Sequence, residues 1–218
     1  MSAGAEGISL AELQLAARNH GMPLEALRHE ITPLGLHYLL VHYDIPAADE
    51  TWRLTVDGNV ASTFELSLAE LRALPAHELV ATMECAGNGR ARLSPRPVSQ
   101  PWLQEAVGTG RWRGVRLREL LRETGDALEV LFTGLDRGVE GGEEQAFQRS
   151  LSIEDALHDD VLLAYDLNGA PLPPQHGYPL RLLVPGWYGM TNVKWLSRID
   201  FLDRPFGGYQ NRQGYRLR

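Results

Sequence analysis

Residues 78–90 read ELVATMECAGNGR, an apolar run that stops at Cys85 and passes at once into Ala86-Gly87-Asn88-Gly89-Arg90. Leu, Val and Thr in the first part favour a strand, and two glycines around Asn88 favour a tight turn. A strand ending in a cysteine above such a turn projects the thiol from a sheet edge into a loop-lined cavity. Open backbone N–H groups and the cation at Arg90 are the features that stabilise a thiolate. On these residues alone, Cys85 is either a buried small hydrophobe or a thiolate acting as nucleophile or soft-metal ligand.

Outward from this stretch, strands and short helices alternate. On the N-terminal side, Ser9 and Glu12 have capping-box spacing, and Leu10, Leu13 and Ala17 follow at helical intervals, so the first thirty residues read as helical. LGLHYLLVHYDIP (34–46) reads as a buried strand, and WRLTVDGNVASTFEL (52–66) as a hairpin turning at Asp57-Gly58-Asn59. Ser67 and Glu70 open a short helix that ends near Pro75.

On the C-terminal side, LRELLRETG (117–125) reads as a helix, and ALEVLFTGL (127–135) as a strand delivering Asp136 to a Gly- and Glu-rich loop. Ser152 and Asp155 cap a further helix, and VLLAYDLNG, YPLRLLVPG and KWLSRIDFL supply three more strands. With no regular βαβ period, the pattern predicts an α+β fold. The boundaries expected are a helical segment over 1–33, packed on one domain over 34–218. The tail GGYQNRQGYRLR (207–218) reads as a solvated end or as a lead into something further.

The chain has 218 residues, a net charge of −7 and one cysteine. A domain of that size buries roughly 70–75% of its unfolded surface, so it needs no disulfide or metal staple. A lone cysteine excludes internal disulfides, Cys-rich zinc sites, iron–sulfur clusters and CxxCH haem attachment. The acidic balance argues against nucleic acid as partner. Arg111, Arg113, Arg116, Arg118 and Arg122 interleave with Glu119 and Glu123 and read as a solvated helix face. Glu140, Glu143 and Glu144 read as a mobile solvated loop rather than a metal site. No apolar run is long enough to span a bilayer, and no secretory leader is visible. The expected location is cytoplasmic, or periplasmic if a leader has been removed.

A second cluster lies at LPPQHGYPLRLLVPGWYGMTNVKW (172–195), where His176, Arg181 and Lys194 interleave with Gly and Pro. Cations on glycine-rich turns suit a phosphate-bearing ligand. The alternative is that Arg181 and Lys194 snorkel from a strand while His176 closes a loop. A Cys/His hydrolase with His42 or His176 as base also fits the residue types, without a local signature for it.

ECAGNGR (84–90), Trp102 with GTGRWRGVRL after it, LLAYDLNGAPLPPQHGYPLRLLVPG (162–186) and NVKWLSRI (192–199) together resemble the sulfite oxidase family of molybdopterin enzymes. The resemblance runs from about Leu34 to Tyr215. It implies a molybdopterin-binding fold of mixed sheets and short helices, with Cys85 as the protein ligand of molybdenum. The pterin dithiolene would supply two further sulfurs. It assigns cofactor contacts to His42, Asp136, His176, Arg181, Asn192, Val193 and Lys194. Arg90 and Trp102 would form the substrate pocket.

The implied activity is two-electron oxygen-atom transfer to or from a small sulfur-containing substrate, an oxyanion or a sulfoxide. The alternatives are a sulfoxide reductase of the same family or a catalytically degenerate molybdopterin-binding module. The implied redox partner is a separate electron-transfer protein, a cytochrome or a quinone-linked carrier. Against the family pattern, Leu40 stands where an arginine is expected and Phe147 where a tyrosine is expected. Losing one charge-assisted contact weakens dianion binding by about 1.5–3 kcal/mol, one to two orders of magnitude. The family's immunoglobulin-like dimerisation domain has no counterpart before Arg218. That suggests a natural short form, like the family's bacterial reductases of oxidised methionine, or a truncated chain.

Overall fold

The computed structural model describes residues 19–97, 100–120 and 125–214. Ten strands form two sheets: β1 (Leu54–Gly58), β2 (Phe64–Leu66), β3 (His77–Glu84), β4 (Val107–Arg116), β5 (Glu129–Glu140), β6 (Glu143–Ser152), β7 (Leu162–Leu167), β8 (Ala170–Pro171), β9 (Arg181–Leu183) and β10 (Leu196–Leu202). The first sheet runs β2-β1-β10-β5-β6 and the second β3-β4-β7-β8, with β9 also on β7. Only β1 and β10 pair in parallel, so the first sheet is mixed. The helices are short: α1 (Leu68–Ala73), α2 (Ile153–Ala156) and α3 (Tyr209–Arg212), with several 3-10 turns. The α+β expectation holds. Among the described residues, no helix is long and apolar enough to cross a membrane.

Alternation explains most strands. β4 buries Gly108, Gly110, Trp112 and Gly114 and exposes Arg111 and Arg113, a period of two. The arginines expected on a helix face therefore stand largely on a strand, and Arg111 pairs with Glu78 across to β3. β7 is apolar on both faces because it lies between two clusters of side chains. Leu163 and Tyr165 face the main core with Val56, Phe132 and Ile199. Leu162 and Ala164 face a second core holding Trp112, Met83 and Cys85. Each fully buried Leu or Phe contributes about 1.5–3 kcal/mol by leaving water. The Ser67 capping box forms as expected, and so does the hairpin over 52–66, but Asp57 and Gly58 extend β1 along β10, so the connection lies over 59–63 and not at Asp57-Gly58-Asn59.

Three other expectations change. Residues 34–46 are not a regular strand: a 3-10 turn spans Leu34–Leu36, and Leu39 makes an isolated bridge to His20. Their backbone groups are claimed by side chains, Val41 N–H by Asn19 and the Leu40 carbonyl by Lys194. The Gly- and Glu-rich loop after Asp136 is the β5–β6 hairpin, with Glu144 paired to Arg137 and Glu140 accepting from Tyr43. No group of three potential metal-ligating side chains occurs there or elsewhere among the described residues. The tail is anchored as far as residue 214: Gln210 is buried, and Asn211 donates to Ser150. The helix expected over Ser9–Ala17 lies outside the described residues. From residue 20 onward the chain crosses the second sheet, with Met22 N–H on the Glu105 carbonyl and Thr32 N–H on that of Thr109.

Candidate active site

Cys85 is held at the end of β3 by its neighbours in sequence. Its N–H donates to Ala106 O, and Asn88 braces the turn by accepting from Ala106 N–H and donating to Glu84. Gly87 N–H points at the thiol, with N···Sγ 3.4 Å. Trp102 and Arg90 pack on Gly87, where a Cβ would lie 3.2 Å from the indole and 3.4 Å from the arginine stem. Burial pushes the Cys85 thiol up, against the Gly87 N–H and the Arg90 charge. A soft cation would reverse that balance, because metal binding removes the proton.

Cys85 opens onto a recess lined among others by His37, Tyr38, Leu40, His42, Asp136, Phe147, His176, Arg181 and Lys194. Three segments far apart in sequence build it.

The first segment is residues 37–42. His37 Nδ1–H donates to Tyr38 O, which leaves Nε2 as the lone-pair nitrogen, without a hydrogen-bond partner. The ring stacks on Tyr38 and meets His176 edge-on at 5.4 Å. It fits because Gly108 has no side chain: a Cβ there would stand 2.6–2.7 Å from three ring atoms.

The second segment is a bulge between β5 and β6. Thr133 pairs with Gln148 and Arg137 with Ala146, so residues 134–136 face Phe147 alone. A bulge re-aims side chains, and here it turns Asp136 and Phe147 to the recess. Phe147 stacks on His42 at 5.3 Å. Asp136 Oδ1 has no hydrogen-bond partner, and burial lifts its carboxyl to about 7, against the pull of Lys194.

The third segment runs from His176 to Trp195. Gly177, with φ 109°, lies where a Cβ would press on both Arg181 and Lys194 at 3.1–3.2 Å. Arg181 is fully enclosed: it donates to His176 O and Asn192 O, caps the Trp112 ring at 4.9 Å and leaves Nε unpaired. Lys194 Nζ donates to Leu40 O at 2.8 Å and Gln175 O at 3.1 Å, over the Trp195 ring. Burial depresses Arg181 to about 10 and Lys194 to about 7. It also holds the histidines neutral, His37 and His42 at about 4 and His176 at about 2.

The recess thus brings together Cys85, His42, Asp136, His176, Arg181, Asn192 and Lys194. Asn192 works within its own loop, accepting from Val184 N–H and donating to Tyr188 O. Val193 packs into the main core instead of lining the recess, and Arg90 with Trp102 flanks Cys85 without lining it. His37, Tyr38, Met83 and Met190 line the recess beyond the residues expected.

Among the described residues neither buried cation is hydrogen-bonded to a carboxylate: carbonyls hold both, and Asp136 attracts Lys194 only from a distance. Burying a charge that way is costly unless a counter-ion arrives. The unpaired Asp136 and Arg181 atoms face the same space and need a donor and an acceptor. A soft thiolate, two cations and unsatisfied polar edges fit an anionic, heteroatom-rich group that carries a soft metal, as a molybdopterin does.

Comparison with known proteins agrees with that fit. Residues 42–210 match the profile of a family described as oxidoreductase molybdopterin binding domain. Sulfite oxidase of Gallus gallus is 42% identical over 191 residues, which span 81% of this chain and 41% of that protein. A nitrate reductase [NADH] of Hordeum vulgare is 40% identical over 191 residues, spanning 81% of this chain and 21% of the reductase. The sulfane dehydrogenase SoxCD from Paracoccus pantotrophus superposes with a TM-score of 0.74 at 25% identity, covering 95% of this chain and 56% of that one. The chain therefore spans less than half the length of these two curated relatives.

Proposed function

The chain belongs to the oxidoreductase molybdopterin-binding domain family, and from that premise we propose that it is a molybdenum-cofactor-dependent oxidoreductase acting on a small sulfur-containing substrate. When bound, the cofactor supplies the exchange of two electrons and an oxygen atom with substrate. The chain's own residues bind, orient and enclose.

Cys85 holds the metal through Sγ, and the Gly87 N–H supports the thiolate. Arg181 and Lys194 neutralise the anionic portion of the cofactor, replacing the carboxylates they lack. Asp136 accepts from ring N–H groups with its unpaired oxygen. His42 and His176, neutral at pH 7, offer hydrogen bonds without adding charge. Asn192 keeps the Val184–Asn192 loop closed over the site. Arg90, which has no carboxylate partner among the described residues, and Trp102 beside it receive the polar end of the substrate next to Cys85. Electrons would pass to or from an electron carrier, a cytochrome or a quinone-linked partner.

The observation that carries the assignment is the convergence of Cys85 with two buried cations that are hydrogen-bonded to carbonyls and not to carboxylates. The test is molybdenum content of the purified chain, followed by turnover of sulfite with an artificial acceptor and of sulfoxides with an artificial donor. Stoichiometric metal and turnover of one of these substrates are expected. A metal-free chain from cells that make the cofactor would refute the assignment.

A further inference from the structure

Trp102 is fastened to the turn that carries Cys85. Its N–H donates to Gln100 O at 2.9 Å, and its carbonyl accepts from Ala91 N–H at 3.0 Å. A Cβ on Gly87 would lie 3.2 Å from Trp102 Cδ1, the ring atom bonded to Nε1. The N–H edge of the indole therefore rests on the glycine whose own N–H points at Sγ. The ring packs into the apolar cluster that holds Cys85 and Met83. Nε1 is shielded from water and closes no hydrogen bond. An indole N–H can only donate, so burial leaves it in need of an acceptor. Against the burial that raises the Cys85 thiol work the Gly87 N–H, the Trp102 N–H and the Arg90 charge, in that order. A neutral thiol is a weak acceptor, whereas a thiolate is a strong one.

Resting on the function proposed above, we infer that the Trp102 indole N–H is the second hydrogen-bond donor to the Cys85 thiolate, a positioning residue that sets the reduction potential of the metal. Hydrogen bonds to a metal-bound sulfur draw electron density from it, weaken its donation to the metal and favour the reduced state. The Gly87 N–H belongs to the backbone and is fixed, so Trp102 is the donor that a side chain can add or remove. Trp112, the other indole of the cluster, lies under Arg181 instead. Arg90 is then the charged group beside the thiol that meets substrate, with the Trp102 ring as its wall.

The test compares molybdenum-loaded wild type with Trp102→Phe, which keeps an aromatic ring and removes the N–H. In redox titrations followed by the EPR signal of the metal, the variant should be harder to reduce. Its reduced-to-oxidised ratio at a fixed potential should fall about three- to tenfold, up to about 59 mV per one-electron step. Pulsed EPR of loaded wild type carrying nitrogen-15 in its indoles should show one indole nitrogen and one exchangeable proton coupled to the metal. Both should vanish in Trp102→Phe, and the wild-type spectrum decides the matter should the variant fail to fold. Unchanged potentials in Trp102→Phe overturn the inference, and a raised KM beside them would give the N–H to substrate. Loaded wild type without an indole coupling overturns it as well. Wild type that takes up no molybdenum overturns the parent assignment and the inference with it.

Discussion

Replacing Asp136 by Asn should make the cofactor-free protein more stable at neutral pH while weakening its hold on the cofactor. The carboxyl is buried with one oxygen unpaired, and burial raises it from 3.8 to about 7. Between those values the folded chain keeps a proton that the unfolded chain has released. Stability is thus fully present below the unfolded pKa and is lost as pH rises through the folded one. At 1.36 kcal/mol per unit, the shift corresponds to a cost of about 4 kcal/mol by pH 7.5. Asn has no charge to desolvate, but Lys194 loses an attractive neighbour, which offsets part of the gain and leaves about 2 kcal/mol. Urea unfolding of both proteins, purified from cells lacking the cofactor, measures this from about pH 5 to 7.5. The advantage of the variant should grow with pH, while its molybdenum content after expression in cofactor-replete cells should fall. A variant less stable at pH 7.5, or a gap independent of pH, would contradict the electrostatics assigned to Asp136.

Other consequences concern the histidines and the close contacts around them. His37, His42 and His176 are held neutral well below their ordinary 6.5, so their stability contribution is present above that value and lost as pH falls towards 4. In Asp136→Asn, where the opposing carboxylate slope is gone, urea midpoints should drop from about pH 6.5 downward, by at most about 2 kcal/mol per ring at pH 5. A flat profile over that range contradicts the burial of the three rings. Gly108→Ala drives a Cβ to 2.6–2.7 Å from the His37 ring. It should cost about 1–3 kcal/mol in unfolding experiments and lower cofactor retention; wild-type stability would show that His37 does not pack there. Cofactor loading should raise Tm in wild type, and less so in Arg181→Met, because ligand binding to the folded state alone is stabilising and the anion loses one cation. Equal shifts in the two proteins would remove Arg181 from the cofactor's partners.

Much of the fold was legible because each signal was local. Ser67 with Glu70 and the apolar runs before Cys85 and after Val161 declare their structure within a few residues. The arginines at 111–116 stand on a strand because the buried alternation Gly108-Gly110-Trp112-Gly114 sets their period, which charge spacing does not reveal. The wall at 37–42 has the composition of a strand, yet its backbone bonds go to Asn19 and Lys194, partners distant in sequence. The aim of Asp136 depends on a register slip between two paired strands, which no window along one strand records. His37 escaped for a related reason: its place is shaped by the missing side chain of Gly108, about seventy residues away. That Cys85, His176, Arg181 and Lys194 share one recess was legible through motif order. Asn192 bracing a loop and Val193 entering the core follow from packing across the fold, which no short stretch of sequence records.

The central claim is that Cys85 is the protein's ligand to molybdenum, and X-ray absorption at the molybdenum edge tests it most directly. Wild type should contain one molybdenum per chain with three sulfur neighbours, two from the pterin and one from Cys85. Cys85→Ser should keep the fold, show two sulfur neighbours or lose the metal, and have no turnover. An unchanged sulfur count in Cys85→Ser, with metal retained and activity intact, would contradict the account.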